Sequence, residues 1–142
     1  MKVTGIAVLA AQALLLTACG SQPRSQAITL RAQTMTYSPW TFEVMAGVPV
    51  ELTFVNEDTL EHDFSVLEIP VESVSQADPM SAEHEMQMGD VALEPVLHVA
   101  AEAGATNHLS FTATKPDRYE FYCTVAGHKE AGMVGTIVVK AP

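Results

Sequence analysis

From residue 28 onward, apolar and polar side chains alternate with a period of two. Val50, Leu52 and Phe54 interleave with Glu51, Thr53 and Val55, the mark of a half-buried strand. Leu109 and Phe111 alternate with Ser110 and Thr112 in the same way. Tyr119, Phe121 and Cys123 share one face, with Glu120 and Tyr122 on the other. Val134 to Lys140 is a β-branched run suited to a closing strand. Turn formers punctuate these runs at Ser38-Pro39, Gly47, Pro49, Asn56-Glu57-Asp58, Gly104, Pro116-Asp117 and Gly132. The spacing predicts strands near 28–35, 40–46, 48–55, 62–68, 96–100, 106–112, 118–123 and 134–140. Short strands so punctuated build an all-β sandwich or barrel. Residues 70–95 break the pattern with Pro70, Pro79, Gly89 and Pro95. Asp78-Pro79 reads as a helix cap and first turn, and Gly89 as its end. This stretch is expected to be an insertion carrying a short helix over 79–88. No internal repeat is present.

The first residues follow another logic. Lys2 precedes an apolar stretch over 5–16, about as long as a signal peptide and short for a membrane span. It ends in Leu16-Thr17-Ala18-Cys19-Gly20, which resembles the lipobox of bacterial lipoproteins. That resemblance implies a signal peptide over 1–18 and a lipid on Cys19, which becomes the first mature residue. Residues 19–27 then read as a flexible tether, and 28–142 as one domain. The expected location is extracytoplasmic, on the periplasmic or cell-surface side of a bacterial membrane, with membrane contact through the lipid.

Composition narrows the function. The chain has 142 residues and a formal net charge of −10, against the basic face a nucleic-acid binder needs. Between Arg31 and Lys115 there is no Lys or Arg, while 14 of the 17 carboxylates fall there. A protein partner is therefore expected to dock through a basic or neutral surface. Only two cysteines are present, Cys19 and Cys123. With Cys19 lipidated, Cys123 has no disulfide partner, and a lone thiol in an exported protein calls for a role.

That role is suggested by its neighbours. Cys123, His128 and Met133 form a Cys-x4-His-x4-Met series, and His62 stands upstream in Glu61-His62-Asp63-Phe64. A strand would deliver Cys123, a loop His128, and the start of the last strand Met133. Thiolate and thioether sulfur suit Cu(I), and imidazole serves both valences. A trigonal His2Cys set with a weak axial Met is the blue-copper arrangement. A closed zinc site would take more Cys and His than this.

With these residues in view, the segment from about 35 to 140 resembles the cupredoxins of the plastocyanin/azurin family. The resemblance rests on Tyr119-Glu120-Phe121-Tyr122-Cys123, Gly127-His128, Ala131-Gly132-Met133-Val134-Gly135 and the upstream His62. It implies a Greek-key β-sandwich and one type 1 copper per chain. His62, Cys123 and His128 would be the in-plane ligands, and Met133 the axial one. The implied function is one-electron carriage, not catalysis, between redox proteins such as a cytochrome or an oxidase. The implied carrier is a monomer. Three features depart from the family. The Cys-to-His spacing is longer than plastocyanin's and like azurin's, while the His-to-Met spacing is one longer than azurin's. The residue after the first His is Asp63 where the best-known members have Asn, and the 70–95 insertion lies outside the minimal fold. Cys123 is flanked by Tyr122 and Thr124, so the His that passes electrons to a catalytic copper in multicopper oxidases is missing. There is also no second nearby Cys for a dinuclear centre.

The remaining candidates have plainer readings. Tyr119 matches the tyrosine corner of β-sandwiches. His98 and His108 read as polar-face histidines and Trp40 as core or edge packing. Met80, His84 and Met88 recur at i, i+4 and i+8 on the predicted helix, with Met86 adjacent. They read either as soft packing or as a second Cu(I) site. The latter would suit the alternative function, a copper chaperone or storage protein that delivers the ion to an acceptor.

Overall fold

The computed structural model describes residues 25–76 and 94–142. Ten strands account for most of them: β1 Gln26–Gln33, β2 Thr36–Ser38, β3 Thr41–Met45, β4 Val50–Asn56, β5 His62–Val66, β6 Val71–Gln76, β7 Leu97–Ala101, β8 Thr106–Ala113, β9 Asp117–Tyr122 and β10 Val134–Lys140. They form two five-stranded sheets, ordered β2-β1-β4-β8-β6 and β3-β10-β9-β5-β7. From β2 to β9, every connection passes from one sheet to the other, giving the Greek-key β-sandwich. Pairing is antiparallel except β1 with β4 and β3 with β10. No helix occurs among the described residues, and none there is long and apolar enough to cross a membrane.

The period-two runs become the inner faces. In β4, Val50, Leu52, Phe54 and Asn56 are buried while Glu51 is exposed. Phe54, Phe64, Phe111 and Phe121 are the largest fully buried side chains. Phe121 is the hub: its ring centre lies 5.0 Å from Tyr37, 5.2 Å from Phe64 and 5.5 Å from Phe42. Aromatic pairs at such offsets add to simple burial. Because Phe121 stands two residues before Cys123 on the same face, the hub also fixes where β9 delivers its cysteine. Tyr119 donates its hydroxyl to the Lys115 carbonyl at 3.0 Å, the expected tyrosine corner.

The structure corrects several expectations. The predicted strand 28–35 begins earlier, at Gln26, drawing the last two tether residues into register with Val50 and Glu51. It also ends earlier, because Thr34 and Met35 make a two-residue turn into β2, with φ of 51° and 58°. Residues 71–76, expected to open the insertion, are strand β6 and pair with β8. As an edge strand with five of its six residues exposed, β6 has no buried face to impose alternation, so the pattern is silent there. Trp40 is 68% exposed and is not core. The predicted helix over 79–88, with its Met80, His84, Met86 and Met88, lies outside the described residues, as do 1–18 and Cys19.

Gly135, at the start of β10, shows how tightly the end of the sandwich where β9 finishes is packed. A Cβ there would fall 2.6 Å from the Trp40 carbonyl oxygen and closer still to the Phe121 ring. Neither backbone nor hub can yield freely. Gly135→Ala is expected to lower stability by about 1–3 kcal/mol, the usual range for overpacking, read as a fall in the urea midpoint at unchanged slope.

Candidate metal centre

Four segments meet at one end of the sandwich. β5 opens with His62, β9 leads directly into Cys123, and the loop after it carries His128 and returns through Met133 to β10. The loop is tied to itself by backbone bonds. His128 N–H donates to the Val125 carbonyl at 3.0 Å, Met133 N–H to His128 at 3.0 Å, and Cys123 N–H to Met133 at 3.2 Å. Gly132 takes a φ of 98°, a left-handed turn that a side chain would strain, and this brings Met133 back beside the cysteine.

Within this frame the Nδ1 atoms of His62 and His128 stand 3.2 Å apart. The Cys123 Sγ lies 3.3 Å from His128 Nδ1 and 4.0 Å from His62 Nδ1. A point centred among three atoms at these separations is about 2 Å from each, near the length of a metal–imidazole bond and slightly short for a metal–thiolate one. The donor set therefore fits a metal ion of this size, and it is the group of metal-capable side chains found among the described residues. All three residues are buried, and Met133 is fully buried beside them in sequence.

Electrostatics prepare these atoms unequally. Burial pushes the Cys123 thiol up to about 11, and the Asp63 charge adds to this. The backbone amides of Asp63 and Val125 pull the other way by favouring the thiolate. A bound cation reverses that balance, since the ligand is the thiolate and its proton leaves on binding. Burial, followed by the neighbouring His62, lowers the tendency of His128 to protonate, which keeps its ring neutral and able to donate a lone pair.

Two carboxylates stand behind the donors. Asp58 Oδ2 lies 3.1 Å from His62 Nε2. That hydrogen bond is the main reason the Asp58 carboxyl is held down at about 2. Because an ionised carboxylate only accepts, Nε2 carries the proton and Nδ1 faces the other donors with its lone pair. Asp63 is buried and accepts from Thr124 N–H at 3.0 Å, Thr124 Oγ1 at 2.6 Å and Ser65 Oγ at 2.9 Å. The Asp at the usual Asn position thus ties β5 to the residue after Cys123. Burial, then the charges of Cys123 and Asp63, push the Tyr37 phenol well above its ordinary range. Its hydroxyl stays protonated and donates to the Asp63 carbonyl. His98 and His108 stand apart from the donor triangle, bonded to Ser65 and Thr53.

Sequence reasoning brought forward His62, Cys123, His128 and Met133; the structure gathers the donor atoms of the first three and buries Met133, whose carbonyl accepts from the Cys123 N–H. It missed Asp58 and Tyr37. The Asp58–His62 spacing of four was a visible signal, obscured by an acidic run in which Glu57, Asp58 and Glu61 look alike. Tyr37 gave no signal, because its partner lies across the sandwich.

A two-sheet sandwich with a buried His–Cys–His triangle at one end defines a copper-binding β-sandwich protein. The family model for copper binding proteins of the plastocyanin/azurin family matches residues 25–140, and the chain belongs to that family, with copper as its cofactor. A copper-resistant cuproprotein CopI from Rubrivivax gelatinosus is 35% identical over 109 residues, covering 77% of this chain and 62% of that protein. This chain thus spans less than two thirds of that relative's length. A protein of the same description from Pseudomonas aeruginosa is 25% identical over 139 residues, 82% of this chain and 77% of the relative. Auracyanin from Roseiflexus castenholzii superposes with a TM-score of 0.60 at 22% identity, over 81% of this chain and 97% of that one. Auracyanin A from Chloroflexus aurantiacus, described as a blue copper protein, gives 0.60 at 19%, over 82% and 100%. At these identities the solved structures show a shared fold.

Replacing Asp63 removes the acceptor for two Thr124 donors. Asp63→Ala is expected to cost about 2 kcal/mol or more of apo-protein stability, since buried donors without partners cost about 1–3 kcal/mol each. Thermal and urea unfolding would show it.

Proposed function

We propose that His62, Cys123 and His128 hold copper in one plane with Met133 as the axial thioether, and that the protein carries single electrons outside the cytoplasm. Supporting this reading above all is the donor triangle: three soft or borderline atoms stand about one metal–ligand bond length from a common centre, in a frame of backbone hydrogen bonds. Copper, when bound, supplies a one-electron couple between Cu(II) and Cu(I). The chain supplies a pocket that need not rearrange between valences. The aromatic hub places Cys123, the loop bonds place His128 and Met133, and burial excludes water.

The surface supports a carrier that meets a partner at this end. Ala126 and Ala131 are exposed beside the buried His128. Leu60, two residues before His62, is 50% exposed, and Val134, next to Met133, is 37% exposed. Trp40 adds an aromatic face, since its carbonyl bonds Thr136 at the same end of β10. The partner is a redox protein, a cytochrome or an oxidase, whose basic docking surface meets the acidic remainder of this chain. On this reading the protein is a monomer held on the outer side of a bacterial membrane by a lipid on Cys19, and it turns over no substrate.

A second reading is favoured by the relatives, both described as copper-resistant cuproproteins. There the same site holds copper to protect the cell or passes it to an acceptor. The two readings separate by rates. A carrier exchanges electrons between its own oxidised and reduced forms quickly and yields copper slowly to a Cu(I) chelator, whereas a delivery protein does the reverse.

The copper-loaded, oxidised protein is expected to be intensely coloured by sulfur-to-copper charge transfer, with a type 1 paramagnetic-resonance spectrum. Cys123→Ser is expected to lose that band. Met133→Leu is expected to keep it with a raised reduction potential. An uncoloured oxidised wild type with one bound copper would defeat the assignment.

A further inference from the structure

Asp58 is more than a neighbour of the site. Its two oxygens are committed to four donors: Oδ1 to Thr59 N–H at 2.7 Å and Thr59 Oγ1 at 3.4 Å, and Oδ2 to both Thr34 N–H at 2.8 Å and His62 Nε2 at 3.1 Å. Its own N–H is held by the Asn56 side chain at 2.9 Å. The Asn56 amide in turn donates to the carbonyls of Leu60 and Ala101. The segment between β4 and β5 is therefore a clamp that aims one carboxylate at the back of His62.

The clamp reaches across to the β1–β2 turn. Thr34 and Met35 both take left-handed φ values, 51° and 58°, where Gly or Asn is usual. A β-branched residue there is an outlier. Such strain persists where the surroundings over-determine it. Here the strained turn leaves the Thr34 N–H outside the hairpin ladder and delivers it to Asp58.

We propose that Asp58 is a positioning residue that sets the valence preference of the centre, its fixed carboxylate behind His62 favouring Cu(II) over Cu(I). The inference rests on the copper assignment above and deepens it. A negative charge hydrogen-bonded to the far nitrogen of a ligand ring fixes its tautomer and raises its basicity. The more basic ring, with an uncompensated charge behind it, stabilises the ion of higher charge more. Since His62 is fully buried and Asp58 only partly exposed, solvent screens this pair less than it would an open surface pair.

The test uses the full-length, copper-loaded protein and two variants. Asp58→Asn removes the charge and keeps one acceptor oxygen. Glu57→Gln removes an equal charge one residue away, from a side chain paired with Arg31 instead of His62. In Asp58→Asn the Cu(II) affinity is expected to fall about 10–100-fold, with a smaller fall for Cu(I). The reduction potential then rises by about 59 mV for each tenfold difference between the two. Glu57→Gln is expected to shift the potential by less than half as much, and Asp58→Glu to recover part of the wild-type value. An unchanged or lowered potential in Asp58→Asn overturns the proposal, as does an equal shift in Glu57→Gln. Nitrogen-15 NMR of the Cu(I)-loaded wild type gives an independent reading without any variant. A slowly exchanging proton on His62 Nε2 is expected, and its absence overturns the proposal. A wild type without a type 1 spectrum defeats the copper assignment, and this inference falls with it. A type 1 wild type whose potential ignores Asp58 defeats the inference alone.

Discussion

Three electron-pair donors packed against one another in a dry interior are poorly tolerated without a cation between them. The nitrogens of His62 and His128 and the sulfur of Cys123 sit within 4.0 Å of each other, where each would otherwise repel the others or need a shared proton. Much of the structure around them prevents escape from this arrangement. The Phe121 hub fixes the end of β9, the Asp63–Thr124 bonds fasten that end to β5, and the loop from Cys123 to Met133 closes on its own backbone. A metal then joins a pocket whose folding has already met the cost of gathering its ligands.

The same frame explains why the burial of polar groups is concentrated here. Asn56, His62, Asp63, Ser65 and His128 are five of the six buried polar residues described, and all lie near the donor end. Each has hydrogen-bond partners, as a buried polar group must. The centre is thus a connected polar network set into one end of an aromatic core. Such a network is costly when partly satisfied and rigid when complete. Rigidity serves a redox ion because the favoured geometries of its two valences differ, and a stiff pocket compels a compromise between them. It serves tight retention of copper as well, so the fold alone does not choose between carriage and storage.

The two carboxylates divide the work. Asp63 is bound to backbone and hydroxyl groups and acts as a fastener between strands. Asp58 is hydrogen-bonded to the His62 ring on the side away from the donor triangle. Both are aspartates close to His62 in a chain rich in acids, and only their partners distinguish them.

How much of this was legible beforehand follows from the range of each interaction. Alternation along β4, β8 and β10 exposes the sandwich, because an inner face repeats every second residue wherever a strand has one buried side. The Cys-x4-His-x4-Met series is equally local: one loop carries it, so its spacing survives in the linear chain. His62 was identified through its motif and not through distance, being 61 residues from Cys123. Edge strand β6 left no trace, since five of its six residues face solvent, and the short β2 was too brief to show a period. Asp58 on His62 was local but hidden in an acidic run, whereas Thr34 on Asp58 and Tyr37 on the Asp63 carbonyl depend on chain crossings that bring distant residues within 3 Å or so. Composition and spacing thus point to the ion and to its candidate ligands, whereas the orientation of those side chains and the charge they feel arise where separate strands meet, because hydrogen bonds act through space and periodicity acts along the chain.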